Sequence, residues 1–188
     1  MTQDLPSILE AILLTADKPL SLDQLLKFFA ADSDVDRQAL RDALLVLSGQ
    51  CFGRSFELRE MASGYRLQTR AAFKQWVVKH QEEKPAKYSR AFLETLALIA
   101  WRQPITRAEI EEVRGVSVNT TIIKTLLERG WIRVVGHKEV PGRPEMLGTT
   151  REFLDYFNLK SLDDLPDLAA VKTLDVAHLA DNSEAEVS

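Results

Sequence analysis

Apolar residues recur along the chain in two similar arrangements. LEAILLTADKPLSLDQL (Leu9 to Leu25) and LETLALIAWRQPITRAEI (Leu93 to Ile110) each read as an apolar helix opening with Leu-Glu, a short turn with a basic residue and a proline, and a second helix introduced by Ser or Thr. Proline ends the first helix because it lacks an N–H and its ring clashes with the preceding turn; Ser21 or Thr106 is then placed to accept from the orphan amides of the next. The copies differ by one residue in length. They match again in GYRLQTRAAFKQWV (Gly64 to Val77) and PEMLGTTREFLDYF (Pro144 to Phe157), pairing Leu67 with Leu147, Thr69 with Thr149, Phe73 with Phe153 and Trp76 with Tyr156. Two blocks in the same order predict an internal duplication with a period of about 80 residues, the size of a small domain rather than of a solenoid repeat.

Between these anchors each half carries a third helix and a hairpin. In the second half Ser117 or Asn119 caps a helix through Arg129, with Ile122, Ile123, Leu126 and Leu127 at helical spacing and Gly130 ending it. Trp131 to Val135 is a strand, and Glu145 to Gly148 returns. In the first half Asp36 or its neighbours open a helix through Leu47, Gly49 closes it, and Ser55 to Arg59 pairs with Tyr65 to Gln68. The predicted fold is mainly α within the α+β class: tandem winged-helix domains, each of three helices plus a β-hairpin wing. The expected divisions are an N-terminal domain over 1–80, a linker over 81–89, a C-terminal domain over 90–166 and a disordered acidic tail over 167–188, with Ser161 to Pro166 as a last ordered turn.

The stretch EVPGRPEMLGTT (Glu139 to Thr150) has three readings. A phosphate loop needs four residues between its glycines and then Lys with Ser or Thr, but five separate Gly142 from Gly148 and Thr149 stands at the lysine position. A minor-groove arm would rest on Gly142-Arg143-Pro144, yet Pro141 and Glu145 flank it in place of basic neighbours. The remaining reading is the wing, in which Pro and Gly set the turn and Met146-Leu147 begin the return strand.

The totals narrow the function classes. With 188 residues, 45% hydrophobic and 28% charged, the chain has an ordinary globular composition. Its apolar run from Ile8 to Ala16 is broken by Glu10 and lacks basic residues before it, so no signal sequence or membrane span is expected and the expected compartment is the cytoplasm. Cys51 is the only cysteine and excludes an internal disulfide; His80, His137 and His178 lie far apart, so no metal or cofactor is expected. The net charge of −4 is that of residues 167–188, which hold five acids and one lysine, leaving a neutral body. Glu109, Glu111 and Glu112 fit a solvated helix face, and no catalytic constellation assembles. For nucleic acid, the third helix of the second half offers Asn119, Thr120, Thr121, Lys124, Thr125 and Arg129 but also Glu128. The wings are more basic, with Arg54, Arg59, Arg66 and Arg70 in one and Arg133, His137, Lys138 and Arg143 in the other, so weak non-specific DNA contact stays open.

SRAFLETLALIAWRQPITRAEIEEVRGV, LLERGWIRVVGHKEVPGRPEMLGTT and FLDYFNLKSLDDLP resemble the second domain of the ScpB (segregation and condensation protein B) family, densely from Ser89 to Pro166. The first domain fits in plan and in ILEAILLTADKPLS, and Met146-Leu147 stands where the family usually has Leu-Tyr. The resemblance implies a non-catalytic, nucleoid-associated subunit that dimerises through its first domain and grips the kleisin ScpA, which closes the ring of an SMC ATPase, in chromosome condensation and segregation. The competing class is a winged-helix DNA-binding transcriptional regulator. Buried or interface aromatics and arginines dominate such contacts, which makes Trp101, Arg102 and Arg107 candidate partner-binding residues, with Trp101 equally readable as core. Arg143 is the fourth candidate, either part of a rigid wing turn or a guanidinium reaching a carboxylate.

Overall fold

Ser21 and Thr106 each close a reciprocal capping box, with Gln24 and with Glu109, so both helix starts lie where the repeated pattern predicts them. The computed structural model describes residues 4–29, 35–80 and 88–166; the predicted tail and most of the predicted linker lie outside the described residues. In the first half α1 (Leu5–Thr15), α2 (Leu22–Phe28) and α3 (Arg37–Gln50) precede a hairpin of β1 (Phe56–Met61) and β2 (Gly64–Thr69). A single-turn 3₁₀ helix then leads into α4 (Lys74–His80). In the second half α5 (Arg90–Arg102), β3 (Ile105–Thr106), α6 (Arg107–Arg114) and α7 (Thr120–Glu128) precede β4 (Ile132–His137), β5 (Glu145–Thr149) and α8 (Arg151–Tyr156). This is the tandem winged-helix arrangement of the α+β class.

Two separate apolar clusters form. One gathers Leu9, Leu13, Leu25, Leu40, Leu44 and Leu47 with Cys51 and the inner side of β1 and β2. The other gathers Phe92, Leu96, Ile99, Ile110, Leu126, Trp131, Ile132, Leu147 and Phe153. Each follows from helical spacing on its three helices, closed by alternate residues of the hairpin.

Several expectations are refined. Asp36 and Asn119 are the caps of α3 and α7, accepting from Ala39 N and Thr121 N. Gly49 does not close α3, which continues to Gln50; the left-handed turn falls at Gly53, φ +75°. The two Leu-Glu pairs are not equivalent: Leu9 is fully buried, whereas Leu93 is 44% exposed and Phe92 and Leu96 fill the core. A shared dipeptide does not set the phase of a helix; the burial ladder does. The second hairpin also gains a third strand, β3, which pairs Ile105 with Leu147 and gives the order β3-β5-β4.

The Glu139 to Thr150 stretch is indeed the loop and return of the second wing. Lys138 N–H donates to Pro144 O and Arg143 N–H to Val140 O, both at 2.9 Å, and Gly142 (φ +84°) makes the turn. Thr150 caps α8 through Phe153 N. In the first wing Gly64 cannot carry a side chain, because a Cβ there would lie 2.2 Å from Leu20 O. That close approach lets Leu20 and Tyr65 exchange two backbone hydrogen bonds of 2.9 Å.

Candidate functional site

A depression lined by apolar residues alone lies on the second half. Ser89 caps α5 by accepting from Phe92 N, which sets the helix phase: Phe92, Leu96 and Ile99 point into the core. Leu93, Ala97 and Trp101, at spacing four, consequently form a stripe beside the core on the same helix. Across from them α8 is anchored by buried Phe153 and carries Phe157 at its end. Asn158, at φ +58°, reverses the chain after α8, and Leu159 N–H donates to Leu154 O at 2.8 Å. Ser161 and Asp164 then close a capping box that folds Leu165 and Pro166 back. The resulting groove, about 270 Å³, is lined by Leu93, Ala97 and Trp101 on one side and by Phe157, Leu159, Leu165 and Pro166 on the other.

Behind it stands an aromatic stack. Trp131 packs edge-on to Tyr88 and Phe157 and lies 4.4 Å, centroid to centroid, from Tyr156, while Arg129 sits over both Tyr88 and Trp131. Tyr156 and Tyr88 approach oxygen to oxygen at 3.3 Å, and this contact together with burial raises the Tyr156 phenol pKa. The groove wall is therefore carried on a rigid aromatic base.

Of the four candidate residues only Trp101 lines the groove. It is half-buried, neither plain core nor free surface. Arg102, one residue on, faces a separate polar cleft with Pro104, Glu109 and Glu112. Arg107 is occupied inside the fold: it donates to Glu111 at 3.0 Å, to Thr120 Oγ1 at 3.1 Å and to the Val118 carbonyl at 2.5 Å, tying α6 to the start of α7. Arg143 is exposed at the wing tip with φ +37°, and its side chain makes no hydrogen bond or ion pair among the described residues. Leu93, Ala97, Phe157, Leu159 and Leu165 were not among the expected site residues. The signal for the first two was the Leu93-Ala97-Trp101 spacing; nothing local marked the others, because they meet the stripe only through the reversal at Asn158.

Several basic side chains of the wings and α7 are held by internal partners. In the first wing Arg54 pairs with Glu10 and Arg59 with Glu57, and Arg70 holds Glu57 and the Cys51 carbonyl. Arg59 and then burial, Gln68 and Arg70 act on Glu57, with a net lowering of its pKa. On α7 Lys124 pairs with Glu128. In the second wing Lys138 reaches Glu109 at 2.6 Å, and this bond with those from Thr106 brings the Glu109 pKa down to about 2. Arg133, His137 and Arg143 are left without an ion pair among the described residues. The described residues contain no group of three His, Cys, Asp or Glu that would hold a metal ion, and no described helix is long and apolar enough to cross a membrane.

Comparison with known proteins agrees in one family. The model of the segregation and condensation complex subunit ScpB matches residues 7–168. A segregation and condensation protein B homolog of Coxiella burnetii is 49% identical over 168 residues, covering 89% of this chain and 80% of the relative. The segregation and condensation protein B of Syntrophotalea carbinolica is 46% identical over 167 residues, covering 89% and 83%. Among solved structures, ScpB from Mycobacterium tuberculosis is 36% identical over 85% of this chain and 99% of that one, with a TM-score of 0.37. A dimer of an ScpB N-terminal domain complexed with an ScpA peptide is 22% identical and covers 45% of this chain and all of that one, TM-score 0.37. By sequence, over most of its length, this chain belongs to the ScpB family of segregation and condensation complex subunits.

Proposed function

We propose that this chain is a non-catalytic subunit of a bacterial SMC condensin, acting in chromosome condensation and segregation by gripping the kleisin ScpA with its second winged-helix unit. The observation that carries the reading is the wholly apolar groove between the Leu93-Ala97-Trp101 stripe and the Phe157 to Pro166 wall. A groove of this kind takes the apolar face of an amphipathic segment, with the aromatic Trp101 as the anchor on its rim. Family membership supplies the biological setting.

In this reading residues 1–80 form the dimerising unit, 81–89 the linker and 90–166 the kleisin-binding unit. Support for a second copy comes from apolar side chains left outside the first core: Leu14, Leu45, Val46 and, 89% exposed, Phe52. The Arg54–Glu10 ion pair holds the exit of α3 beside α1. Two units on one chain, doubled in a homodimer, raise the effective concentration of each further contact once the first has formed. The protein works in the cytoplasm, associated with the nucleoid through the SMC ring rather than through its own wings.

Titration calorimetry with the central segment of ScpA tests this. Ala97→Asp places a charge in the groove and Trp101→Ala removes its anchor; each is expected to weaken binding at least tenfold, with thermal stability within a few degrees of the parent. Unchanged affinity in both variants, or tight sequence-selective duplex binding without ScpA capture, would return the chain to the class of DNA-binding regulators.

A further inference from the structure

Met61 is 4% exposed yet belongs to neither apolar core. It ends β1, at the tip of the first wing, a place where a winged helix ordinarily shows side chains to solvent. The residues around it explain its burial. Ala62 N–H donates to Leu159 O at 3.1 Å, and Ser63 N–H to Asp155 Oδ1 at 3.1 Å. Arg66 Nη2 donates to Asn158 Oδ1 at 3.1 Å, and Lys160 Nζ meets Glu60 Oε2 at 2.5 Å. The tip of the first wing is thus seated on the end of α8 and the reversal that follows it. Lys160 reflects this seat: the Glu60 hydrogen bond raises its pKa. The corresponding tip of the second wing, Val140 to Arg143, is exposed throughout.

The same short segment is the far wall of the apolar groove. Leu159 carries both functions: its carbonyl accepts from the first wing while its side chain lines the groove. Phe157 lines the groove immediately before Asn158, which Arg66 holds. Among the described residues, nothing else from the first half hydrogen-bonds this wall. Individually the contacts are weak: the Lys160–Glu60 pair is solvent-exposed, and the buried Nε of Arg66 has no hydrogen-bond partner among the described residues.

We propose that the first wing is an intramolecular brace, whose tip holds the groove wall at Asp155 to Lys160 and so couples the filling of the groove to the docking of the two units on each other. A helix pressed into the groove bears on Leu159 and Phe157, and displacement of either loosens the wing; a seated wing conversely keeps the wall in place for an incoming segment. Such coupling is reciprocal by thermodynamic necessity. The brace rests on geometry alone, whereas its use in partner binding rests on the kleisin reading given above.

Amide hydrogen exchange, read residue by residue, separates the two. Ala62 and Ser63 sit in a hairpin turn, and among the described residues their N–H groups bond only to the second unit, so protection there reports the brace directly. Lys160→Glu and, separately, Met61→Ala are expected to speed exchange at Ala62 and Ser63 at least tenfold while leaving Leu126 in the second core unchanged. The reversed pair, Glu60→Lys with Lys160→Glu, is expected to restore most of the protection. To probe coupling without any partner, Ala97→Trp plugs the groove from inside, with Ala97→Met in its place should the larger ring unfold the unit; a change of at least threefold at Ala62 and Ser63 is expected. Fast exchange at both amides in the parent protein, indifference to Lys160→Glu, or no response to the plug would overturn the brace. None of these readouts uses ScpA, so failure to capture ScpA defeats the kleisin reading and leaves the brace standing.

Discussion

Glu109 joins three elements through one carboxylate. One oxygen takes hydrogen bonds from the Thr106 amide and hydroxyl, both at 2.8 Å, and the other takes the Lys138 ammonium of the second wing. Its pKa falls from the ordinary 4.5 to about 2, so the folded state holds the charged form more tightly than the unfolded chain does. The stability this supplies is fully present above pH 4.5 and is lost as pH falls from 4.5 toward 2. Because the side chain is 37% exposed, solvent screens the effect to about 1 kcal/mol or less. Glu109→Gln should therefore melt below the parent at neutral pH, with the gap closing as pH drops through that window in a calorimetric series. Gly64 is a harder constraint. A Cβ would meet the Leu20 carbonyl at 2.2 Å with φ at +138°, so Gly64→Ala should destabilise the first unit by roughly 3 kcal/mol, measured as a loss of its denaturant midpoint.

Among elements, Arg107 ties α6 to the start of α7, beside the buried Val118. Its guanidinium satisfies the Val118 carbonyl just before the α7 cap and reaches Thr120 in the first turn, while Glu111 accepts from both Arg107 and the Val118 amide. Arg107→Ala leaves the Val118 carbonyl without this donor and is expected to lower stability by about 1–2 kcal/mol in urea unfolding. If the groove takes ScpA as proposed, that binding should be spared, since Arg107 lies outside the groove. Loss of binding with no loss of stability would instead make Arg107 a contact residue. Asn119→Ala, which removes the α7 cap alone, should cost about 1 kcal/mol by the same assay.

For the whole molecule, charge placement decides what the wings do. The first wing's arginines are paired or turned into the brace, and α7 neutralises Lys124 with Glu128. With Arg133 and Arg143 left without an ion pair on the second wing among the described residues, duplex affinity should be weak. The plot of log affinity against log salt should have a slope no steeper than about −3, from roughly −0.9 per phosphate neutralised. Filter binding from low to physiological salt checks this; a slope of about −6 or steeper would show a DNA-binding face drawn from both units.

Legibility in the sequence divided along the range of the interactions involved. The three-helix-and-wing order, the caps at Ser21, Asp36 and Thr106, and the wing turn at Gly142 were readable because each is fixed by residues within one turn or one hairpin of itself, where backbone geometry and local hydrogen bonds dominate. Composition likewise set the charge balance, since it needs no coordinates. The phase of α5 relative to α1, the third strand, the capture of Arg107 inside the fold, the groove and the seat of the first wing were not readable. Each joins positions far apart in the chain, from Gln103 reaching Thr149 to Ala62 reaching Leu159, and only packing selects one such pairing from many that a local pattern permits.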